Sequence, residues 1–275
     1  MKPTRRTFFH KVLAAALALL IAPAARLWGA ESVTNLQSMV NDSLNPVSLM
    51  VKVPLQNNFN FGLGPKKVTQ YTLDLEPVVP FTLSADWNLI TRAVIPITSQ
   101  PAAGPGQPGV VGMGDINPAI FLSPAPTGDR FWGVGPTCTL PTGTAPQLTS
   151  GQWSLGPAAV YLATPRSWML GAFVNQQWSL GGWGDRRVST ATLQPMLIYH
   201  LPRGWYLVSV PIITANWEAD AADCWTVPAG GGFGKIVKLG RTPVNLQLQA
   251  FYNAERPHDG ADWQLRFQIL LLFPK

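Results

Sequence analysis

The sequence predicts an all-β fold: an antiparallel transmembrane β-barrel of about twelve strands, with both termini on the periplasmic side. Three observations predict it. The first is the end of the chain, where Trp263, Leu265, Phe267, Ile269, Leu271 and Phe273 alternate with Gln264, Arg266, Gln268 and Leu270. Period two marks a strand with one apolar and one polar face. About eleven such residues are many for a soluble strand and suit a tilted strand crossing a bilayer. The second observation is that short and long connections alternate along the chain. The third is that tryptophans fall at the ends of strand-like segments.

Composition narrows the class. Only 12% of the 275 residues are charged, against about 25% in ordinary soluble domains. Beyond the leader no apolar run reaches the length of a membrane-spanning helix, whereas a barrel hides its hydrophobicity by alternation. The formal charge of +6 arises in the leader, where Lys2, Arg5, Arg6, Lys11 and Arg26 stand without an acidic residue. The remainder carries 15 basic against 14 acidic residues, so no nucleic-acid partner is expected.

Residues 1–30 read as a secretory signal peptide: a basic start, an apolar core over 12–22, and small residues with candidate cleavage after Ala24 or near Ala30. Thr4 to Lys11 also resembles a twin-arginine signal. That route carries folded proteins and a barrel must cross unfolded, so the arginines are read as an ordinary basic start. Residues 31–46 are expected to be an N-terminal tail or a short plug helix, since Val33, Leu36, Val40 and Leu44 have helical spacing. Residues 47–275 are the expected barrel.

Twelve strand-like segments follow in order, over 48–61, 70–81, 86–97, 115–123, 131–140, 152–162, 167–178, 190–201, 205–217, 225–239, 243–253 and 263–274. Gly230, Gly231 and Gly232 are expected to break the tenth. Connections after even segments are short (82–85, 124–130, 163–166, 202–204, 240–242). Those after odd segments are mostly longer (62–69, 98–114, 141–151, 179–189, 218–224, 254–262). Short periplasmic turns and long outer loops are the pattern of outer-membrane barrels. Trp87, Trp132, Trp168 and Trp205 then mark a periplasmic aromatic girdle. Trp153, Trp178, Trp217, Trp225 and Trp263 mark an outer one. Prolines inside the segments, such as Pro54, Pro136, Pro157, Pro195, Pro211 and Pro228, oppose the reading, because proline cannot donate to a ladder.

Chemistry-bearing patterns are sparse. His200 lies on the polar phase of its segment and His258 in an outer loop, so neither is expected to be catalytic. Cys138 and Cys224 lie four segments apart and are not expected to pair. No metal or cofactor motif appears, and no enzyme activity is expected. The stronger lead is a set of inward charges, Lys52, Asp74, Glu76, Arg92 and Arg266, brought together once the last strand closes on the first. They are candidates for a solute-selecting constriction or for a paired structural network.

Six stretches resemble a family of outer-membrane proteins labelled "MetA-pathway of phenol degradation", often named transporters. They are WNLITRAVIP (87–96), GMGDI (112–116), GVGPTCTLPTGT (133–144), QWSLGP (152–157), WTVPAGGGFGK (225–235) and LFPK (272–275). Gly143 stands where that family usually has Ala. The resemblance covers residues 45–275 and implies a bacterial outer-membrane barrel passing small hydrophobic or aromatic solutes, with no catalytic residues to carry over. Its expected partners are outer-membrane lipid, a small-molecule solute and, through the C-terminal strand, the barrel-assembly machinery. The alternatives are a lipid-modifying outer-membrane enzyme and a soluble all-β periplasmic binding protein.

Overall fold

The computed structural model describes residues 33–102, 108–239 and 242–273. The signal-peptide expectation for residues 1–30 lies outside them. Helix α1 (Val33–Leu44) comes first. Fifteen strands follow: β1 (Val51–Leu63), β2 (Val68–Leu75), β3 (Val78–Thr82), β4 (Trp87–Gln100), β5 (Val110–Met113), β6 (Asn117–Pro124), β7 (Arg130–Thr139), β8 (Gln152–Ala163), β9 (Trp168–Gly182), β10 (Ser189–His200), β11 (Trp205–Ser209), β12 (Ile213–Asn216), β13 (Trp225–Leu239), β14 (Thr242–Glu255) and β15 (Trp263–Phe273). β2 with β3, β5 with β6, and β11 with β12 each form one broken stave. Twelve staves thus run antiparallel, each beside its sequence neighbour. β15 closes on β1 from Val51↔Phe273 to Phe61↔Trp263. Closure removes both sheet edges, which is what lets a sheet stand in lipid.

The alternation in β15 behaves as its sequence predicts. Arg266, Leu270 and Leu272 are buried inside, while Trp263 and Phe273 are exposed outside. The described chain enters and leaves at one rim, since Val51 pairs with Phe273 there. That rim carries the short turns, such as the one over Pro202–Gly204. The nine predicted tryptophans all lie outside, 38–51% exposed. Trp87 meets Trp132 edge-on at 6.1 Å on the short-turn rim. Trp217 meets Trp225 at 5.4 Å, and Phe61 stacks on Trp263 at 3.9 Å, on the long-loop rim. On β9, Trp168 and Trp178 are ten residues apart. At about 3.3 Å per residue and a tilt of about 40°, the rings stand about 25 Å apart, the height of a barrel's apolar band.

Several boundaries differ from the sequence reading. The segment expected over 70–81 bends at Glu76 and Pro77, whose backbone groups turn to Pro54 and Ala93. The one expected over 86–97 runs to Gln100 and carries β5 as an extension of its hairpin beyond the rim. The segment expected over 205–217 breaks between Ser209 and Ile213. By contrast Gly230–Gly232 do not break β13, which pairs with β14 from Val227 to Leu239 with one register shift, beside Pro228. At Gly232 a Cβ would strike the Leu248 carbonyl, so the glycine lets the two backbones approach. The prolines are accommodated because each strand residue points its N–H at one neighbour only. Pro136 sits directly opposite Pro157, where β7 and β8 stay in register. The cost falls on the far side, where β8–β9 pairing skips from Leu155↔Trp178 to Ala158↔Asn175.

Candidate functional site

The lumen has three levels, built by the inward phase of every stave. Toward the long-loop rim it is lined by neutral amides and hydroxyls. Gln264 donates to Asn60 at 2.9 Å, Asn60 to Gln70 at 2.9 Å, and Gln70 to Gln100. This amide chain crosses β15, β1, β2 and β4, which are successive neighbours in the wall. Further along the wall, from β6 to β9, Asn117 donates to Thr139 at 2.9 Å, and Thr139 donates to Gln177 at 2.9 Å. Hydrogen-bonded side chains of this kind suit a wet surface without a net field.

Below the amides lies a belt of charges and rings. Arg92 donates to Glu76 at 2.9 Å, and its guanidinium sits 5.7 Å from the centre of the Phe173 ring. Phe173 is in turn edge-on to Phe121 at 6.2 Å. Arg92 on β4 therefore reaches across to β9. Arg266 is 2% exposed. It donates to Asn58 at 3.2 Å, to the Val210 carbonyl at 2.9 Å and to Gln264 at 3.1 Å, and lies 5.0 Å over Phe251. Asp74 accepts from Asn58 at 2.8 Å, so Asn58 bridges Asp74 and Arg266. Two arginines thus each rest on a phenyl ring, a placement worth about 0.5–2 kcal/mol.

The third level is apolar and filled. Ile90, Phe121, Leu162, Met169, Ile198 and Tyr206 are buried there, and Val40 and Val47 join them from the N-terminal segment. The last turn of α1 and the residues after it cross the lumen just inside the short-turn rim. Lys52 of β1 donates to the carbonyls of Asp42 at 3.3 Å and Ser43 at 3.1 Å, and to that of Asn45. These are the orphan carbonyls at the helix's C-terminal end, where a cation is favoured. Burial pushes the Asp42 carboxyl up, while the Lys52 ammonium pulls it back. From β14, two strands along the wall from β1, Asn245 donates to Ser43 at 2.8 Å. Val47 packs where a Cβ on Gly133 of β7 would lie 3.1 Å away. Within the stretch expected to be a tail or a short plug helix, Val33–Leu44 is helical.

Of the predicted lumen residues, Asp74, Glu76, Arg92 and Arg266 come together in the belt. Lys52 stands in the same cross-strand row as Arg92, through Val78, and turns its ammonium to the carbonyls at the end of α1. The expected direct pairing of opposite charges holds for Arg92 with Glu76 only. Asp74 and Arg266 are joined through Asn58 because their strands place an amide between them. The sequence reading missed Phe121, Phe173 and Phe251. Their inward phase was legible, but a large apolar side chain on that phase makes sense only once a filled lower lumen is known. Tyr206, fully buried and donating to Asn245 at 2.7 Å, was missed for the same reason. His200 is buried with neither ring nitrogen hydrogen-bonded, and Ser154 Oγ is also without a partner. They lie toward opposite rims and form no acid–base pair. His258 is exposed in the loop before β15, where its backbone N–H donates to Asp223. Both cysteines are free.

No protein-family model matches the chain, and no curated protein matches it in sequence. Among solved structures it is similar to an outer-membrane channel from Pseudomonas putida F1, with a TM-score of 0.62 and 16% identity over 82% of this chain and 95% of that one. Outer-membrane phospholipase A from Escherichia coli gives a TM-score of 0.44 and 13% identity over 81% of this chain and 96% of that one. CdiB from Acinetobacter baumannii gives 0.36 and 8% over 82% and 60%. Likenesses of that size carry no argument. The first shows the architecture: this chain has the closed antiparallel barrel fold that an outer-membrane channel also has.

Proposed function

We propose that the protein is an outer-membrane channel for small hydrophobic or aromatic solutes, as its resemblance to the phenol-degradation family implies. One observation carries the reading: a neutral, hydrogen-bonded upper lumen leads to a belt where arginines lie on phenyl rings above an apolar floor. Such a path solvates a small aromatic molecule at each level, first by amides, then by ring faces and guanidinium planes. The ring-to-ring spacing of the outer tryptophans fits insertion in a bilayer, and the short turns would face the periplasm. β15, ending in Phe273, would be the strand offered to the barrel-assembly machinery. In this reading α1 is a plug, and Lys52 is its latch.

The test is planar-bilayer conductance of the refolded protein, intact and with residues 31–46 deleted, with and without a monoaromatic solute such as toluene. Deletion should raise single-channel conductance, and toluene should reduce it in both proteins. No conductance in either protein would overturn the channel. Orientation is checked in whole cells lacking Cys138 and Cys224. A cysteine replacing His258 should react with an impermeant thiol reagent, and one replacing Asp86 should not.

A further inference from the structure

Inside the strands, charged side chains turn to the lumen, as Lys52, Asp74, Arg92 and Arg266 do. Among the described side chains that lie within a strand rather than at its end, Lys235 of β13 is the exception. It shares the outward phase with Phe233, which is 49% exposed, while its neighbour Ile236 is buried inside. Across the ladder it pairs directly with Trp205, the first residue of β11 and a member of the short-turn girdle. A charge facing hydrocarbon is costly at mid-membrane and cheap at the interface. Beside Trp205, at girdle height, a lysine can bury its stem and keep its head among polar groups.

The surroundings of Trp205 set it apart from the rest of its girdle. Trp87 meets Trp132, and Trp168 meets Tyr199 at 4.7 Å, so those contacts are between rings. Trp205 meets Phe233 at 6.1 Å, and the Lys235 ammonium stands 4.6 Å from its ring centre. An indole face holds a cation through its quadrupole without neutralising it. Arg203, exposed in the turn two residues before Trp205, adds a second cation at the same rim. The strands around them carry no opposing charge. β10, β11, β12 and β13 contain no Asp or Glu, and the one acid of β14, Glu255, lies at its far end by the long loops. Toward mid-membrane the next outward pair is Leu207↔Phe233, 51% and 49% exposed. A cationic step at the interface thus leads onto an apolar track in the hydrocarbon.

We infer that Lys235 and Trp205 form a binding site for an anionic phospholipid, with Arg203 at its edge. The lipid phosphate lies against the Lys235 ammonium, and an acyl chain runs over Leu207 and Phe233. The head-group class follows from the charges. A zwitterionic lipid brings its own ammonium, which two cations in a carboxylate-free surround repel, whereas phosphatidylglycerol brings only the phosphate. In the orientation proposed above the site opens on the periplasmic leaflet. It does not depend on whether the barrel conducts.

Native mass spectrometry of the folded barrel in detergent, with phosphatidylglycerol and phosphatidylcholine at equal concentration, reads the site. Wild type should take up its first phosphatidylglycerol about fivefold in preference to phosphatidylcholine. Lys235→Gln should bring the two to parity, Lys235→Arg should keep the preference, and Trp205→Leu should lower it. Lys66→Gln removes one positive charge from the loop between β1 and β2, at the opposite rim, and should change nothing. Heat-modified gel migration shows that each variant is folded. Equal uptake of both lipids by wild type overturns the site, and so does a preference that survives Lys235→Gln. A preference lost equally in Lys66→Gln would report net charge alone and overturn it too. Inorganic phosphate should not displace the bound lipid; displacement would make this a site for free anions, not for lipid.

Discussion

Two halves of the wall differ in how they are held together. From β13 through β14 and β15 to β1 the ladders run on with a single shift. The inward residues there are polar: Asn58, Asn245, Gln247, Gln249 and Arg266 are all buried. From β6 to β12 the β6–β7, β8–β9 and β10–β11–β12 ladders are interrupted, while β7–β8 and β9–β10 run on unbroken. β6 and β7 share only Ala119↔Thr137 and Leu122↔Val134, and the break at Val210 lies at the far end. The inward residues there are largely apolar, with Phe121, Val160, Leu162, Phe173 and Ile198 among them. The difference has a physical sense. Buried amides and charges need fixed partners, and a continuous ladder fixes them at cross-strand spacing. Apolar side chains need only to be covered, so the wall behind them can tolerate prolines and a broken ladder.

The largest way to break this comparison is to put a charge on the outside of the continuous half. Phe267 faces out and Gln268 faces in on β15. Phe267→Arg should cost roughly 2–4 kcal/mol near the middle of the membrane, while Gln268→Arg should cost much less. Urea titrations of the two proteins refolded into vesicles measure both. Equal losses would mean that the continuous half has no lipid face.

A second, intermediate effect concerns the latch. Lys52→Met removes the donor to the Asp42, Ser43 and Asn45 carbonyls. Leaving buried acceptors unpaired costs about 1–3 kcal/mol. That loss should fall on the plug and spare the barrel. Protease cutting within residues 33–47 should speed up, while the heat resistance of the barrel should stay the same. Equal loosening of both would show the plug to be part of the barrel's own core.

The smallest effect should come from the arginine that ties β4 to the interrupted half. Arg92 reaches from β4 to Phe173 on β9, with part of its side chain still exposed. Arg92→Ala removes one ring contact and one ion pair, together about 1–2 kcal/mol. If the belt is a constriction, ion selectivity should shift clearly despite so small a stability loss. A stability loss with selectivity unchanged would make Arg92 a brace between β4 and β9.

Much of this was legible in the chain. Alternation in β15 assigned faces residue by residue and placed Arg266 inward, and the same alternation in the second and third segments put Asp74, Glu76 and Arg92 on the inward phase. The tryptophans marked both rims, because segment ends are visible in sequence. The broken stave at Val210 was not legible. Pro211 warned of trouble there, but Pro54 and Pro136 warned equally and sit in register. Which proline breaks a wall depends on whether its missing N–H faced a neighbour, and that depends on register.

The sequence by itself determined the all-β class, the stave count and the alternating faces of β15. All of these follow from period two and from where it stops, which are local properties. Tertiary structure decided what lies across from what. It turned the Lys52 ammonium to the carbonyls at the end of α1, laid Arg92 on Phe173, and gave Val210's backbone to Gln249 and Arg266. Arg92 and Phe173, and Val210 with Gln249 and Arg266, are far apart in sequence and meet only because twelve staves close into a ring. No local pattern encodes a distance across a lumen.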